Sequence, residues 1–167
     1  MHRLDVLVPW LLQYLQSHAP LDAVYLPAWE GGPPDHDALH AALASVCRQR
    51  GPAPRLWQFA LYNGWQRRGG LFRLLQPLPT HGPAVQQRIS RSRRWHYLGL
   101  CLNYRSQWTS WLGLGPALAW HYLVKGTQTL QPVNLQAPLE RPHPGPLYYE
   151  QRGFARWADL HKCIQTL

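Results

Sequence analysis

The sequence predicts an α/β fold built on a layered parallel sheet. Three observations lead there. Stretches of helical and strand periodicity alternate from the N-terminus, in the order helix, strand, loop, helix, strand. The first strand-like run, "LDAVYLP" (21–27), is short, largely apolar and β-branched at Val24, and reads as a buried strand. A loop rich in Gly and Pro, "PAWEGGPPDHDALH" (27–40), follows that strand and leads into a helix, which is where open α/β sheets bind ligands.

Each element has its own reason. Residues 9–18, "PWLLQYLQSH", place Trp10, Leu11, Tyr14 and Leu15 on one helical stripe, with Pro9 suited to the first turn. Residues 35–50, "DHDALHAALASVCRQR", put Leu39, Ala42, Leu43 and Val46 on one face. Asp35 and Asp37 suit the positive end of that helix as capping carboxylates, and Arg48 and Arg50 suit its negative end. His40 reads as a helix-surface histidine. "GPAP" (51–54) breaks the helix, "RLWQFALY" (55–62) reads as the next strand, and "NGW" (63–65) as a turn. Residues 66–86 are loop-rich with one short strand at Leu71–Leu75. A long helix is expected from Ser90 or Ser92 to Trp111, with Tyr97, Leu98, Cys101, Leu102 and Tyr104 available to pack. "GLGP" (113–116) is expected to end it, and "ALAWHYLVKG" (117–126) to form a short helix stopped by Gly126. Residues 127–147 hold five prolines and read as an extended surface segment, and 148–163 as a closing helix.

The 167 residues fit one domain, 1–167, long enough to bury a core. Nine Trp and a hydrophobic share of 46% exclude a disordered chain. Lys and Arg number 17 against 8 Asp and Glu, a net charge of +9 that attracts anionic partners. Cys47, Cys101 and Cys163 lie far apart and form no CxxC pair, which argues against a disulfide framework and for a reducing, cytoplasmic setting. No apolar run reaches the roughly 18 residues needed to span a bilayer, and the N-terminal stretch lacks a signal-peptide cleavage pattern, so no membrane partner is expected.

The loop carries a resemblance. Glu30-Gly31-Gly32-Pro33-Pro34-Asp35-His36-Asp37-Ala38 resembles the second metal motif of the PIG-L/LmbE-like de-N-acetylases, zinc-dependent hydrolases of N-acylated sugars and related amides. The family pattern there is His-Pro-Asp-His after a glycine. "LNYRSQW" (102–108) resembles a family helix ending in Ser-Gln, and "RPHPGPLYYEQRG" (141–153) the C-terminal segment of some members. The resemblance covers most of the chain in the right order. It implies a Rossmann-like fold, a zinc cofactor, an N-acetylated sugar-like substrate, His36 as a metal ligand and Asp35 as the carboxylate that orients the neighbouring histidine.

Two departures limit what carries over. The family's first motif, Ala-His-Pro-Asp-Asp-Glu, supplies a His and an Asp to the metal and a second Asp as general base, and this sequence has no such motif. The chain therefore reads as an N-terminally incomplete domain that a missing N-terminal half or an oligomer partner would have to complete. Pro33 stands where the family has the first His of His-Pro-Asp-His, and proline neither gives a proton nor carries charge. A catalytic zinc site needs three protein ligands and an open position. Carry-over leaves His36 alone, with His40 one turn later as the nearest further imidazole and no catalytic residue assigned.

Other constellations are weaker. Ser106 lacks a Gly-x-Ser-x-Gly elbow, Cys101 falls in an apolar helical pattern, Cys163 beside Lys162 is an ordinary terminal thiol, and "GLGP" lacks the lysine of a phosphate loop. The basic run "RISRSRRWHY" (88–97) offers Arg88, Arg91, Arg93 and Arg94 as candidate anion-binding residues leading into Trp95 and Tyr97. No nucleic-acid fold signature accompanies it, so a solvated basic loop is preferred to a nucleic-acid site. The expectation is thus a PIG-L/LmbE-like deacetylase domain that is inactive as this chain. The alternatives are a non-catalytic basic protein for nucleic acid or a phosphorylated glycan, and a truncated product with no function of its own.

Overall fold

The computed structural model describes residues 3–50, 54–66, 72–137 and 139–167. In chain order its elements are α1 (Leu4–Ser17), β1 (Ala23–Pro27), α2 (Pro34–Gln49), β2 (Arg55–Phe59), β3 (Tyr62–Asn63), β4 (Arg73–Leu74), β5 (Val85–Arg88), α3 (Arg91–Cys101), α4 (Trp108–Trp120), β6 (Thr127–Pro132), α5 (Tyr148–Gln151) and α6 (Trp157–Gln165). Short 3-10 turns lie at Pro79–His81 and Arg105–Gln107, and a π turn at His121–Lys125. The chain divides into two compact units, one formed by Met1–Ala84 with Leu130–Leu167 and the other by Val85–Thr129.

The first unit is mixed α/β. β1 and β2 pair in parallel, from Ala23 opposite Arg55 to Pro27 opposite Phe59, with α2 in the connection between them. On the other edge of β2, Leu130–Pro132 pair antiparallel, with Gln58 opposite Gln131. The sheet is therefore mixed, not wholly parallel as the sequence predicts. "TQTLQP" has no apolar run to announce a strand. It becomes one because Thr129, Leu130 and Gln131 are buried and find backbone partners there.

Two apolar clusters hold this unit, and α2 serves both. Ala42, Leu43, Val46 and Cys47 meet Leu11 and Leu15 of α1, Leu26 of β1 and Leu56 of β2. Ala38 and Ala41, on another side of α2, meet Trp29, Leu147, Tyr149, Leu160 and Ile164. Alanines let the helix be approached from both sides, and each buried Leu or Val contributes about 1.5–3 kcal/mol. α1 begins at Leu4 and so encloses Pro9. Only Leu11 and Leu15 of its expected stripe are buried, while exposed Trp10 and Tyr14 stack on each other 5.2 Å apart. β2 stops at Phe59, earlier than expected, and the chain resumes as β3, which pairs with β4 through Tyr62–Leu74 and Asn63–Arg73. Part of the strand expected at Leu71–Leu75 falls on Leu71, outside the described residues.

The second unit is mostly helical, with β5 hydrogen-bonded to β6. The single long helix expected from Ser90 to Trp111 is two helices. Leu102, Asn103 and Tyr104 each bond a carbonyl three residues back, and Tyr104 then leaves helical geometry at φ −92, ψ 71. The expected stop at Gly113–Pro116 lies inside α4. The real stop is Gly126, left-handed at φ 57, as its position in the sequence predicts. A Cβ on Gly126 would meet the guanidinium of Arg94, and the left-handed backbone there favours glycine. Among the described residues, no helix is long and apolar enough to cross a membrane.

Candidate functional site

The loop after β1 is shaped by two buried carboxylates. Glu30 Oε1 accepts the backbone N–H of Leu61 at 2.7 Å and of Tyr62 at 3.0 Å, and its Oε2 accepts Asn63 Nδ2 at 3.2 Å. The side chain thereby ties the loop to the segment that leaves β2. Asp37, in the first turn of α2, reaches back to accept the N–H of Glu30 at 3.2 Å and of Gly31 at 3.1 Å. It is a clamp on the loop, not the cap that its sequence position suggests. The N-cap of α2 is Pro33, which makes no side-chain cap bond. Gly31 adopts φ +68, and a Cβ there would strike Leu147 Cδ2.

Burial governs the protonation of this cluster. It raises Glu30 from 4.5 to about 7, against the lowering effect of its three donors. Asp37 is also raised by burial, with the nearby Glu30 carboxylate adding to the effect. His143 Nε2 lies 3.2 Å from the Glu30 carbonyl oxygen, so Nε2 carries the proton and donates. Its Nδ1 is then buried without a hydrogen-bond partner.

Beside this clamp opens a cleft of about 520 Å³, lined among others by Trp29, His40, Gln58, His81, Asn134 and Arg141. Trp29 and Gln58 place it near the carboxyl ends of the parallel strands. His40 is 3% exposed, contrary to the surface position expected of it, because α2 is covered on both sides. Its Nδ1–H donates to the Pro27 carbonyl at 2.9 Å, which leaves Nε2 as the lone-pair nitrogen. Burial lowers His40 to about 4. His81 is likewise lowered to about 4, first by burial and then by the imidazoles of His40 and His143. Both rings are therefore neutral at physiological pH. Gln58 Oε1 accepts the N–H of Trp29 at 3.2 Å, and Trp29 Nε1 donates to the Glu140 carbonyl at 2.8 Å. The cleft thus combines an indole, amides and neutral imidazoles with the Arg141 side chain at its lining.

The residues singled out in the sequence are not gathered here. Neither His36 nor Asp35 lines the cleft. His36 is half-buried at the start of α2, its Nδ1 has no hydrogen-bond partner, and burial lowers its pKa against the opposing Asp35 charge. Among the described residues, no three His, Cys, Asp or Glu side chains are placed to hold a metal ion. They do not fit the three-ligand zinc site that the resemblance implies. Of the arginines, Arg88, Arg91 and Arg93 are exposed. Arg94 is engaged internally, donating from Nε to the Ile89 carbonyl at 2.8 Å and from Nη1 to the Leu123 carbonyl at 3.2 Å. Cys101 is half-exposed on α3 instead of in a core, because no residue of that helix is buried.

Sequence reasoning passed over Glu30, Gln58, His81 and His143. Glu30 had a local signal, an acid directly before two glycines in a loop between apolar elements. His143 had none, since the carbonyl it meets lies 113 residues away. The site thus defines a mixed α/β chain with a polar cleft at the carboxyl ends of a parallel strand pair. No protein-family model matches the sequence, and neither the curated proteins nor the solved structures contain a match.

Proposed function

We propose that this chain is a PIG-L/LmbE-like domain, Rossmann-like in ancestry, that binds a small uncharged sugar-like molecule in the Trp29–His40–His81 cleft and does not hydrolyse it. The observation that carries the proposal is the pair of neutral imidazoles with Gln58 and Trp29 around one cleft at the strand ends. The order β1, Gly-rich loop, α2, parallel β2 supports the ancestry, as does the position of Pro33–His36 at the start of α2.

Titration with N-acetylglucosamine tests it, followed by long-range proton–nitrogen spectra of the histidine rings. The ring signals of His40 and His81 should shift saturably, and Gln58→Ala should weaken binding by about ten-fold through loss of one buried polar partner. Unmoved rings at saturating sugar would refute the reading. The Pro33→His chain, which restores His-Pro-Asp-His, should release no acetate from N-acetylated sugars with zinc added. The substitution returns a group worth about 10²–10⁴ in rate only where a complete site exists. Chelator-sensitive deacetylation by that variant would instead assign it an enzymatic role.

A further inference from the structure

The second unit has the opposite chemistry. Between Asp37 and Glu140 the sequence contains no acidic residue. The unit Val85–Thr129 lies wholly inside that span and carries six cations, Arg88, Arg91, Arg93, Arg94, Arg105 and Lys125. From Ser106 to Val124 there is no formal charge, and Arg105 and Lys125 bracket the stretch. α3 buries none of its residues. Large apolar side chains stand in solvent along both helices: Leu102 is 75% exposed, Leu112 69%, Trp95 65%, Trp120 64% and Trp108 62%. An apolar groove of about 640 Å³ runs between the end of α3 and α4, lined among others by Leu98, Leu102, Trp108, Trp111 and Leu118. Large apolar side chains left in water beside an apolar groove mark an interaction site.

We propose that Val85–Thr129 docks onto the surface of an anionic lipid bilayer. Its indole and phenol side chains would lie at headgroup depth, its exposed leucines in the acyl boundary, and its exposed Arg88, Arg91 and Arg93 on the lipid phosphates. Trp and Tyr favour that boundary because each presents an apolar body and a polar edge. Leu102, Leu112, Leu123 and Val124 decide against a nucleic-acid partner. Aliphatic side chains do not stack on bases and gain only by leaving water. The charge decides against a second copy of the chain, since two such units with six cations each and no acid repel. Arg91 and Arg93 occupy the first turn of α3, where the helix dipole disfavours cations. An anionic surface supplies the compensating charge. Such docking is interfacial and needs no spanning helix.

The test is flotation of the full chain with vesicles of phosphatidylcholine alone and of three parts phosphatidylcholine to one part phosphatidylglycerol. Tryptophan quenching by lipids brominated on the acyl chain is read in parallel. The chain should float with the anionic vesicles, shift its emission to the blue and be quenched. Arg91→Gln with Arg93→Gln should weaken binding by about twenty-five-fold, on the order of five-fold per cation. Leu102→Asp with Leu112→Asp should abolish the quenching, while an unchanged cooperative thermal transition shows that both variants fold. Equal partition to neutral and anionic vesicles, or binding without quenching, would overturn the proposal. Retention on an oligonucleotide without flotation would replace it with the nucleic-acid reading, and concentration-dependent dimers without flotation with self-association.

Discussion

Asp37 and Arg93 both sit in the first turn of a helix, and the chain treats them oppositely. Asp37 is fully buried and accepts the N–H groups of Glu30 and Gly31 with its two oxygens. Arg93 is exposed and carries the sign the dipole disfavours. The difference separates two kinds of polar residue. Asp37 is held in one position by internal partners, because a buried polar group without them costs several kcal/mol. Arg93 is left in water, where a dipole mismatch costs only about 0.3–1 kcal/mol.

The largest effect expected from breaking this contrast is at Asp37. Asp37→Ala strands two buried N–H groups and should cost about 2–5 kcal/mol in urea unfolding. A loss below about 1 kcal/mol would mean that water reaches the loop and that the clamp is not structural.

Glu30 sharpens the same point through pH. Its folded pKa of about 7 stands above 4.5, so the folded chain keeps a proton that the unfolded chain has released. The stability from this group is complete below pH 4.5 and is lost as pH rises through 7. His40 and His81, lowered from 6.5 to about 4, act in reverse: their contribution is complete above pH 6.5 and is lost as pH falls toward 4. Glu30→Gln removes one side of this opposition. Its stability relative to the parent should rise by up to about 3 kcal/mol between pH 4.5 and 7, read as urea midpoints across that range. A constant difference between the two proteins would show that Glu30 titrates like a surface acid.

Gly31→Ala should cost about 1–3 kcal/mol, since it forces a side chain into left-handed backbone against Leu147. The same substitution at Gly99, where a Cβ meets nothing and α3 is regular, should stabilise by about 0.5–1 kcal/mol. Paired thermal melts of the two variants measure how far the rigid loop differs from the exposed helix.

The smallest expected effect is at Arg93. Arg93→Glu should raise stability by about 0.3–1 kcal/mol by matching the dipole of α3, while weakening vesicle binding. A variant that is both less stable and still floats would erase the contrast between the two regions.

Much of the first unit was legible in the sequence. "LDAVYLP" and "RLWQFALY" each contain their strand, although Tyr25 is exposed where a buried strand is expected and β2 stops at Phe59, and the α2 periodicity and the Gly- and Pro-rich loop before it fall where the sequence places them. Gly126 ends its helix as a glycine after an apolar run should. These features are local: period, turn chemistry and backbone freedom act over a few residues, so a sequence states them directly. The rest depended on distant partners. His40 reads as a surface residue until the covering of α2 and the Pro27 carbonyl decide otherwise. "TQTLQP" reads as a polar segment until β2 offers it an edge. The sequence by itself determined the α/β character of the first unit and the basic, acid-free character of the second. Only the tertiary structure decided which polar groups are buried and paired and which aromatics stand in water, because burial is set by neighbours far along the chain and not by the residues beside it.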